Sequence, residues 1–506
     1  MSAILFKAFI PEFFFSITIL IQILFNTNII VNYKLNFPIL NKEIFGQIFF
    51  VLTSLFFIYL NIKIDIISYN FFLISTSNEY SIKVIYIALC IVSSVSIWRG
   101  FLVQKLNFFE FFTIMMISIL SFLLLLNSLD LISVYLVIEL QALCFYILSC
   151  FTRKSSFSTE AGLKYFISGA FISGFYLFGC SLIYGCLGTL NLNLINLLLT
   201  YSLPTNLNFI VLIGILLVTI TFLFKVSAVP FHFWSPDVYE GAPLSSTIIF
   251  SILPKFILFT FLIKWFSSLA FFFAIIKYLL LITGILSVFL GTFFAIKQKR
   301  IKRIVIFSSI AQIGFLLLGL STNTMEGFAS VYFFLIIYLV TSILIWSFIS
   351  LFYGFQKRVN KYNSETLNPI YLSNLSNFFE NNKLWAILLT FIFYSLAGIP
   401  PFIGFLSKLF ILYGLIQVKF FFSVVILIFI SIVSIFYYVR FIKLLFFENT
   451  KLSFNSIKYQ TIFSENYLEI DTFSISFLLF LLLYLFFYPN LLLLLTELFV
   501  FGNVVI

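Results

Sequence analysis

The sequence predicts an all-α integral membrane protein of about fourteen transmembrane helices, arranged as two inverted five-helix repeats that each contain a broken helix. Three observations carry this. The first is composition: of 506 residues, 62% are hydrophobic and 9% charged, with a mean hydropathy of +1.16. A soluble fold of that size could not cover its surface with polar groups. The second is length, because apolar runs recur at the roughly 20 residues that a helix needs to cross a bilayer. The third is charge placement. Of the 29 basic residues, 19 fall in loops on one side, 6 on the other and 4 within spans. This positive-inside bias supports an even span number with both termini on the outer side.

In chain order the spans are 1–25, 43–62, 82–98, 108–127, 129–151, 162–187, 207–230, 242–266, 269–296, 302–321, 327–354, 384–414, 419–447 and 472–500. Residues 1–25 lack the basic n-region and small-residue cleavage site of a signal peptide, so they read as the first span. Segment 82–98 is the weakest, being short and carrying Ser93, Ser94 and Ser96. Spans 108–127 and 129–151 are separated by little more than Ser128, and that boundary rests on Asn127 and Asp130. Loop 63–81 has room for a short amphipathic piece, 355–383 is the longest polar stretch, and 451–471 reads as an inner-side connector.

Prolines set the internal organisation. Pro230, Pro236, Pro243 and Pro254 crowd one window, and Pro400 and Pro401 another. Proline removes a helical hydrogen bond, and a membrane helix tolerates that only where protein or water satisfies the freed carbonyl. Two such interruptions in corresponding spans point to inverted repeats with a polar path at the breaks. The expected division is 1–107 (three N-terminal helices), 108–266 (first repeat, broken near 226–230), 267–447 (second repeat, broken near 397–402) and 448–506 (connector and last helix).

Several function classes drop out. Cys90, Cys144, Cys150, Cys180 and Cys186 all fall in spans without a CxxC pair, and His232 is the only histidine. Metal or iron–sulfur ligation is therefore not expected, and the cysteines read as small core residues. Nucleotide-binding glycine motifs and a nucleophile–His–carboxylate set are missing, so no cofactor is expected in this chain. The basic run KQKRIKR at 297–303 reads as an inner loop, not a nucleic-acid patch. Seventy-five phenylalanines fit an A+T-rich organellar genome.

The candidate chemistry lies in charges at bilayer depth. Glu139 and Lys255 sit about 15 and 20 Å into their spans. Lys225 precedes the break VSAVP, and Lys408 follows AGIPPFIGF. An ionisable group at that depth costs roughly 2.5–3.5 kcal/mol and marks an ion or proton path by default. Glu139, Lys225, Lys255 and Lys408 form the expected row, with His232 as a relay at the first break; structural ion pairing is the alternative. Lys164, Lys264 and Lys277 read as snorkelling span-end lysines. Asp130, Glu12, Glu110 and Glu497 read as interfacial.

The string FKVSAVPFHFWSPDVYEGAP at 224–243, followed by ILPK at 252–255, resembles the antiporter-like subunits of respiratory complex I. So do ELQALCFYILS at 139–149, the segment 161–192, IKRIVIFSSIAQIGFLLLG at 301–319, SLAGIPPFIGFLSKLFIL at 395–412 and SIFYYVRFIKLLFF at 434–447. Within that family, the ELQ and AGLKYF wording and Lys408 are similar to the subunit 2 branch in its long, mitochondrial form. The resemblance implies proton translocation by Glu139, Lys225, Lys255 and Lys408, driven by electron transfer from NADH to quinone. It also implies FMN, iron–sulfur clusters and quinone in partner subunits. The implied partners are the neighbouring antiporter-like subunit, small membrane subunits and lipids, in the mitochondrial inner membrane with both termini in the intermembrane space. Many relatives carry histidine where this chain has Gln312. An Mrp-type cation/proton antiporter subunit and a plastid counterpart of the same subunit are the alternative readings.

Overall fold

The computed structural model describes residues 2–32, 38–61, 66–69, 73–104, 109–153, 155–200, 205–269, 272–359, 371–375, 383–447 and 467–504. Its helices are α1 (Ser2–Asn32), α2 (Pro38–Asn61), α3 (Ser77–Gln104), α4 (Glu110–Asn127), α5 (Leu131–Ser149), α6 (Ser156–Leu187), α7 (Leu192–Thr200), α8 (Thr205–Val226) and α9 (Trp234–Gly241). They continue as α10 (Leu244–Ser268), α11 (Phe273–Lys297), α12 (Ile301–Leu320), α13 (Met325–Val359), α14 (Lys383–Ala397), α15 (Ile403–Gln417), α16 (Phe421–Phe446), α17 (Tyr467–Phe487) and α18 (Pro489–Val504).

Eleven helices among the described residues are long and apolar enough to cross a membrane, and the bent pair α17–α18 makes a twelfth candidate. The weakest sequence segment, 82–98, lies in one of the longer ones, α3. The expected last span, 472–500, is a bent pair, since α17 and α18 meet at 91°. Pro489 stands at the break, where its ring cannot follow the preceding turn. Loop 63–81 also differs. It holds a short antiparallel hairpin, β1 (Ile66–Tyr69) with β2 (Leu73–Thr76), ahead of α3. Most of 355–383 and of 451–471 lies outside the described residues.

Helix α10 is buried along its whole span, and α13 along nearly all of it. Helices α3, α4, α8, α13 and α18 pack around α10, so Lys255 stands at the centre of the molecule. In contrast, α6 and α16 turn Phe166, Phe171, Phe178, Phe422, Phe429 and Phe436 outward. This is the inverse of a soluble fold, because lipid is as apolar as the core. Helix contacts therefore use small residues. A Cβ on Gly179 of α6 would lie 2.8 Å from the Gly214 carbonyl of α8, and the reverse also holds. Only glycine at both positions lets these backbones touch.

Candidate functional site

The two helix breaks are closed in the same way. At the first, Ser227 takes φ +65, its N–H bonds the Phe224 carbonyl at 2.9 Å, and Ala228 N–H bonds Leu223 at 2.9 Å. At the second, Gly398 takes φ +76, its N–H reaches Ser395 at 3.2 Å, and Ile399 N–H bonds Tyr394 at 3.3 Å. Both are Schellman ends with a left-handed residue after the last helical turn. Helix resumes at Trp234 and Ile403. Such an end leaves carbonyls for side chains to satisfy. Trp234 Nε1 donates to Phe224 O at 3.0 Å. Lys408 Nζ donates to Leu396 O at 3.1 Å and Ala397 O at 2.8 Å. A Cβ on Gly398 would lie 2.9 Å from the Lys408 ammonium, so glycine is required there for both dihedral and space.

Lys255 is held differently. Pro254 has no N–H, so the Phe250 carbonyl one turn back loses its helical donor. The Tyr239 hydroxyl of α9 replaces it at 3.1 Å. Lys255 Nζ donates to the Tyr338 hydroxyl of α13 at 2.5 Å and is 3% exposed. Beyond Tyr338 lies a cavity of about 20 Å³ lined by Ser251, Ser308, Ser309, Gln312, Tyr338 and Ser342 among others. Leu396 also lines it, and Gln312 Nε2 points at the Leu396 carbonyl at 3.5 Å. Lys255, Tyr338, the cavity, Gln312, the Leu396 carbonyl and Lys408 thus follow one another from α10 to α15. Gln312 occupies the place in which a histidine relay was in doubt, and it shares an acceptor with Lys408.

The first-repeat residues are looser. Glu139 on α5 and Lys225 on α8 are half-buried. Glu139 Oε1 is buried without a hydrogen-bond partner, and no ion pair within 4.0 Å joins it to Lys225 among the described residues. His232 is buried in the first break, with Nδ1 lacking a partner.

Other residues depart from their expected places. Glu12, read as interfacial, is buried and accepts from Lys83 Nζ at 2.5 Å and Asn127 Nδ2 at 3.2 Å. Lys264, read as snorkelling, is buried and donates to Glu79 at 2.9 Å and to Leu126 O at 3.2 Å. The reason is tertiary, since α1, α3, α4 and α10 converge and take these ends out of contact with lipid or water. Lys277 sits beside the Tyr278 and Phe420 rings. Lys164 is half exposed and pairs with Glu160 at 2.8 Å and Asp237 at 3.1 Å. The α9 carboxylates also meet the run at 297–303: Arg300 and Arg303 both pair with Glu240, and Arg303 approaches Asp237 at 3.6 Å. That bond pushes the Arg300 guanidinium further up from its ordinary value. Cys90, Cys144 and Cys180 are buried and Cys150 and Cys186 half-buried, all unbridged.

Comparison with known proteins follows the same geometry. The family described as NADH:quinone oxidoreductase/Mrp antiporter, TM, matches residues 128–435, which contain all five candidate residues. NADH-ubiquinone oxidoreductase chain 2 of Marchantia polymorpha is 37% identical over 351 residues, covering 69% of each chain. Respiratory complex I from Thermus thermophilus contains a chain of TM-score 0.72 at 22% identity, covering 96% of this chain and 98% of that one. The Mrp complex from Dietzia sp. contains one of TM-score 0.78 at 16% identity, covering 98% and 97%. Those two show the shared fold alone; the family match and the sequence identity carry the relationship. The chain therefore belongs to the NADH:quinone oxidoreductase/Mrp antiporter membrane family, in the branch that holds NADH-ubiquinone oxidoreductase chain 2.

Proposed function

We propose that this chain is the antiporter-like membrane-arm subunit 2 of NADH:ubiquinone oxidoreductase and moves protons across the mitochondrial inner membrane as NADH is oxidised and quinone reduced in partner subunits. One observation carries the reading. Lys225, Lys255 and Lys408 lie beside helix breaks or a helical proline, and none has a carboxylate within 4.0 Å among the described residues. Neutral oxygens hold Lys255 and Lys408. A structural ion pair needs a counter-charge; a site that gains and loses a proton needs acceptors that tolerate both states. Glu139 acts on Lys225 through space, so its protonation state biases whether Lys225 keeps its proton. His232 is a relay at the first break, and Gln312 with water serves between Lys255 and Lys408.

We infer fourteen crossings: the eleven long helices, the bent pair α17–α18, the short apolar α2, and α14 with α15 as one broken span. Grouping these as five-helix repeats over 108–266 and 267–447 places a break in each. Both termini then face the intermembrane space, and FMN and iron–sulfur clusters belong to partner subunits. The fold is equally that of an Mrp subunit. Gentle extraction separates the two readings, since co-purifying flavin and iron–sulfur chains support the first and their absence the second.

The experiment is Lys225→Met and Lys408→Met in the assembled complex reconstituted into vesicles. Each substitution keeps bulk and removes the charge. NADH-driven proton translocation should fall roughly tenfold or more while assembly is retained. Normal translocation by an assembled Lys225→Met complex returns these lysines to a structural role.

A further inference from the structure

Lys302 belongs by sequence to a solvated basic loop, yet it is buried at the start of α12. Among the described residues its ammonium meets the Ala242 carbonyl at 3.4 Å and the Tyr353 ring at 5.5 Å from the centroid, while its neighbours Arg300 and Arg303 take Glu240. Two turns further along the same helix face, about 10 Å away, stands Ser309. Between them, Val305 and Ile306 form the near wall of the cavity beside Tyr338.

The lining of that cavity has a definite chemistry. The hydroxyls of Ser251, Ser308, Ser309 and Ser342 each donate to a carbonyl of their own helix. Tyr239 donates to Phe250 O. Their oxygens therefore offer mainly lone pairs to the cavity, and Tyr338 already accepts from Lys255. A space of about 20 Å³ in which these oxygens stand among Val305, Ile306, Ile345, Trp346 and Leu396 admits one water, and its polar groups favour a guest that donates protons.

From this geometry we propose that Lys302 is the inner-side proton-uptake residue for Lys255, delivering through one water in the Ser/Tyr cavity. The proposal rests on the proton-translocation reading above and names the route by which the central lysine is reloaded. The neutral Lys302 amine takes a proton from the inner aqueous phase and becomes an ammonium. Its flexible four-carbon stem carries it past Val305 and Ile306 to the cavity water. The water accepts that proton and passes one of its own to the Tyr338 oxygen. Tyr338 gives its hydroxyl proton to a neutral Lys255 amine. Each oxygen gains one proton and loses one, Lys302 returns to the amine, and Lys255 ends as an ammonium. The charged and titratable groups facing Lys302 are Glu240 from α9 and Tyr353 from α13, with Arg300 and Arg303 beside it.

The test uses three variants of the assembled complex in vesicles, scored for assembly, NADH–quinone turnover and proton translocation. Lys302→Arg keeps a cation at the Ala242 carbonyl but does not release protons in this range. Lys302→His restores a titrating group with a lower ordinary pKa. Ser309→Val removes one cavity acceptor and fills its place with a larger apolar side chain. The expected result is coupled turnover lowered roughly tenfold by Lys302→Arg, partial recovery in Lys302→His with the alkaline limb of the pH profile moved toward acid, and an intermediate loss for Ser309→Val. Wild-type translocation by Lys302→Arg overturns the proposal, as does a Lys302→His profile that coincides with wild type. If Lys225→Met and Lys408→Met still abolish translocation in that event, only this route is wrong. If they too translocate normally, the function itself is.

Discussion

At the scale of single residues, the buried charges divide into two kinds. Lys255 and Lys408 are held by neutral oxygens, whereas Lys83 and Lys264 are held by the carboxylates of Glu12 and Glu79. The second kind is an anchoring arrangement, and its energetics predict a particular mutational pattern. Removing one partner leaves an uncompensated buried charge, at a cost of about 3–5 kcal/mol, while neutralising both is close to neutral. Glu12→Gln alone should therefore lower the thermal stability of the assembled complex, and Glu12→Gln with Lys83→Met should recover most of it. Equal destabilisation by the single and the double variant would show that the pair itself is needed. No sequence spacing announces this pair, because its partners stand on α1 and α3, far apart in the chain. The lysines of the candidate path were legible for the opposite reason: each lies next to a proline or glycine break that is visible in the string itself.

At the scale of elements, the breaks explain where side chains must go. Each interrupted helix leaves carbonyls that lipid cannot satisfy, and an aromatic or lysine side chain from a nearby stretch of sequence reaches each one: Trp234 at Phe224, Tyr239 at Phe250, Lys408 at Leu396 and Ala397. Tyr239→Phe should leave the Phe250 carbonyl unpaired beside Pro254 and cost about 1–3 kcal/mol. The measurement is the melting midpoint of the extracted complex. An unchanged midpoint would mean that α10 satisfies this carbonyl without help from α9. The bend in the last span belongs to the same level. An apolar run shows enough length to cross a membrane, but the turn at Pro489 depends on what packs around it.

At the scale of the whole molecule, Glu240 of α9 ties that short helix to the start of α12 through Arg300 and Arg303. Asp237 of the same short helix adds Lys164 of α6 to the cluster. A cysteine placed at Gln298 should react with an impermeant thiol reagent from the matrix side and stay protected from the intermembrane side of intact organelles. Labelling from the intermembrane side would reverse the topology that the basic asymmetry supports. The N-terminal helices join the same assembly where Glu79 on α3 grips Lys264 on α10. Lys264 and Lys255 project to opposite faces of α10, so anchoring and the candidate path use different sides of one central helix.

The sequence by itself determined the membrane class, the helical character of its apolar runs, the two breaks and the lysines beside them. Hydropathy, proline and charge act locally, over one helix length, and a string of residues displays local rules directly. Only the tertiary structure decided which charges are paired, that Lys255 meets Tyr338, that Lys302 is buried, and that a cavity joins Gln312 to the central lysine. Those facts depend on helices far apart in sequence lying side by side. In a membrane the small-residue contacts that set such neighbours, as at Gly179 and Gly214, leave no hydrophobic period to read, because lipid-facing and buried positions are equally apolar.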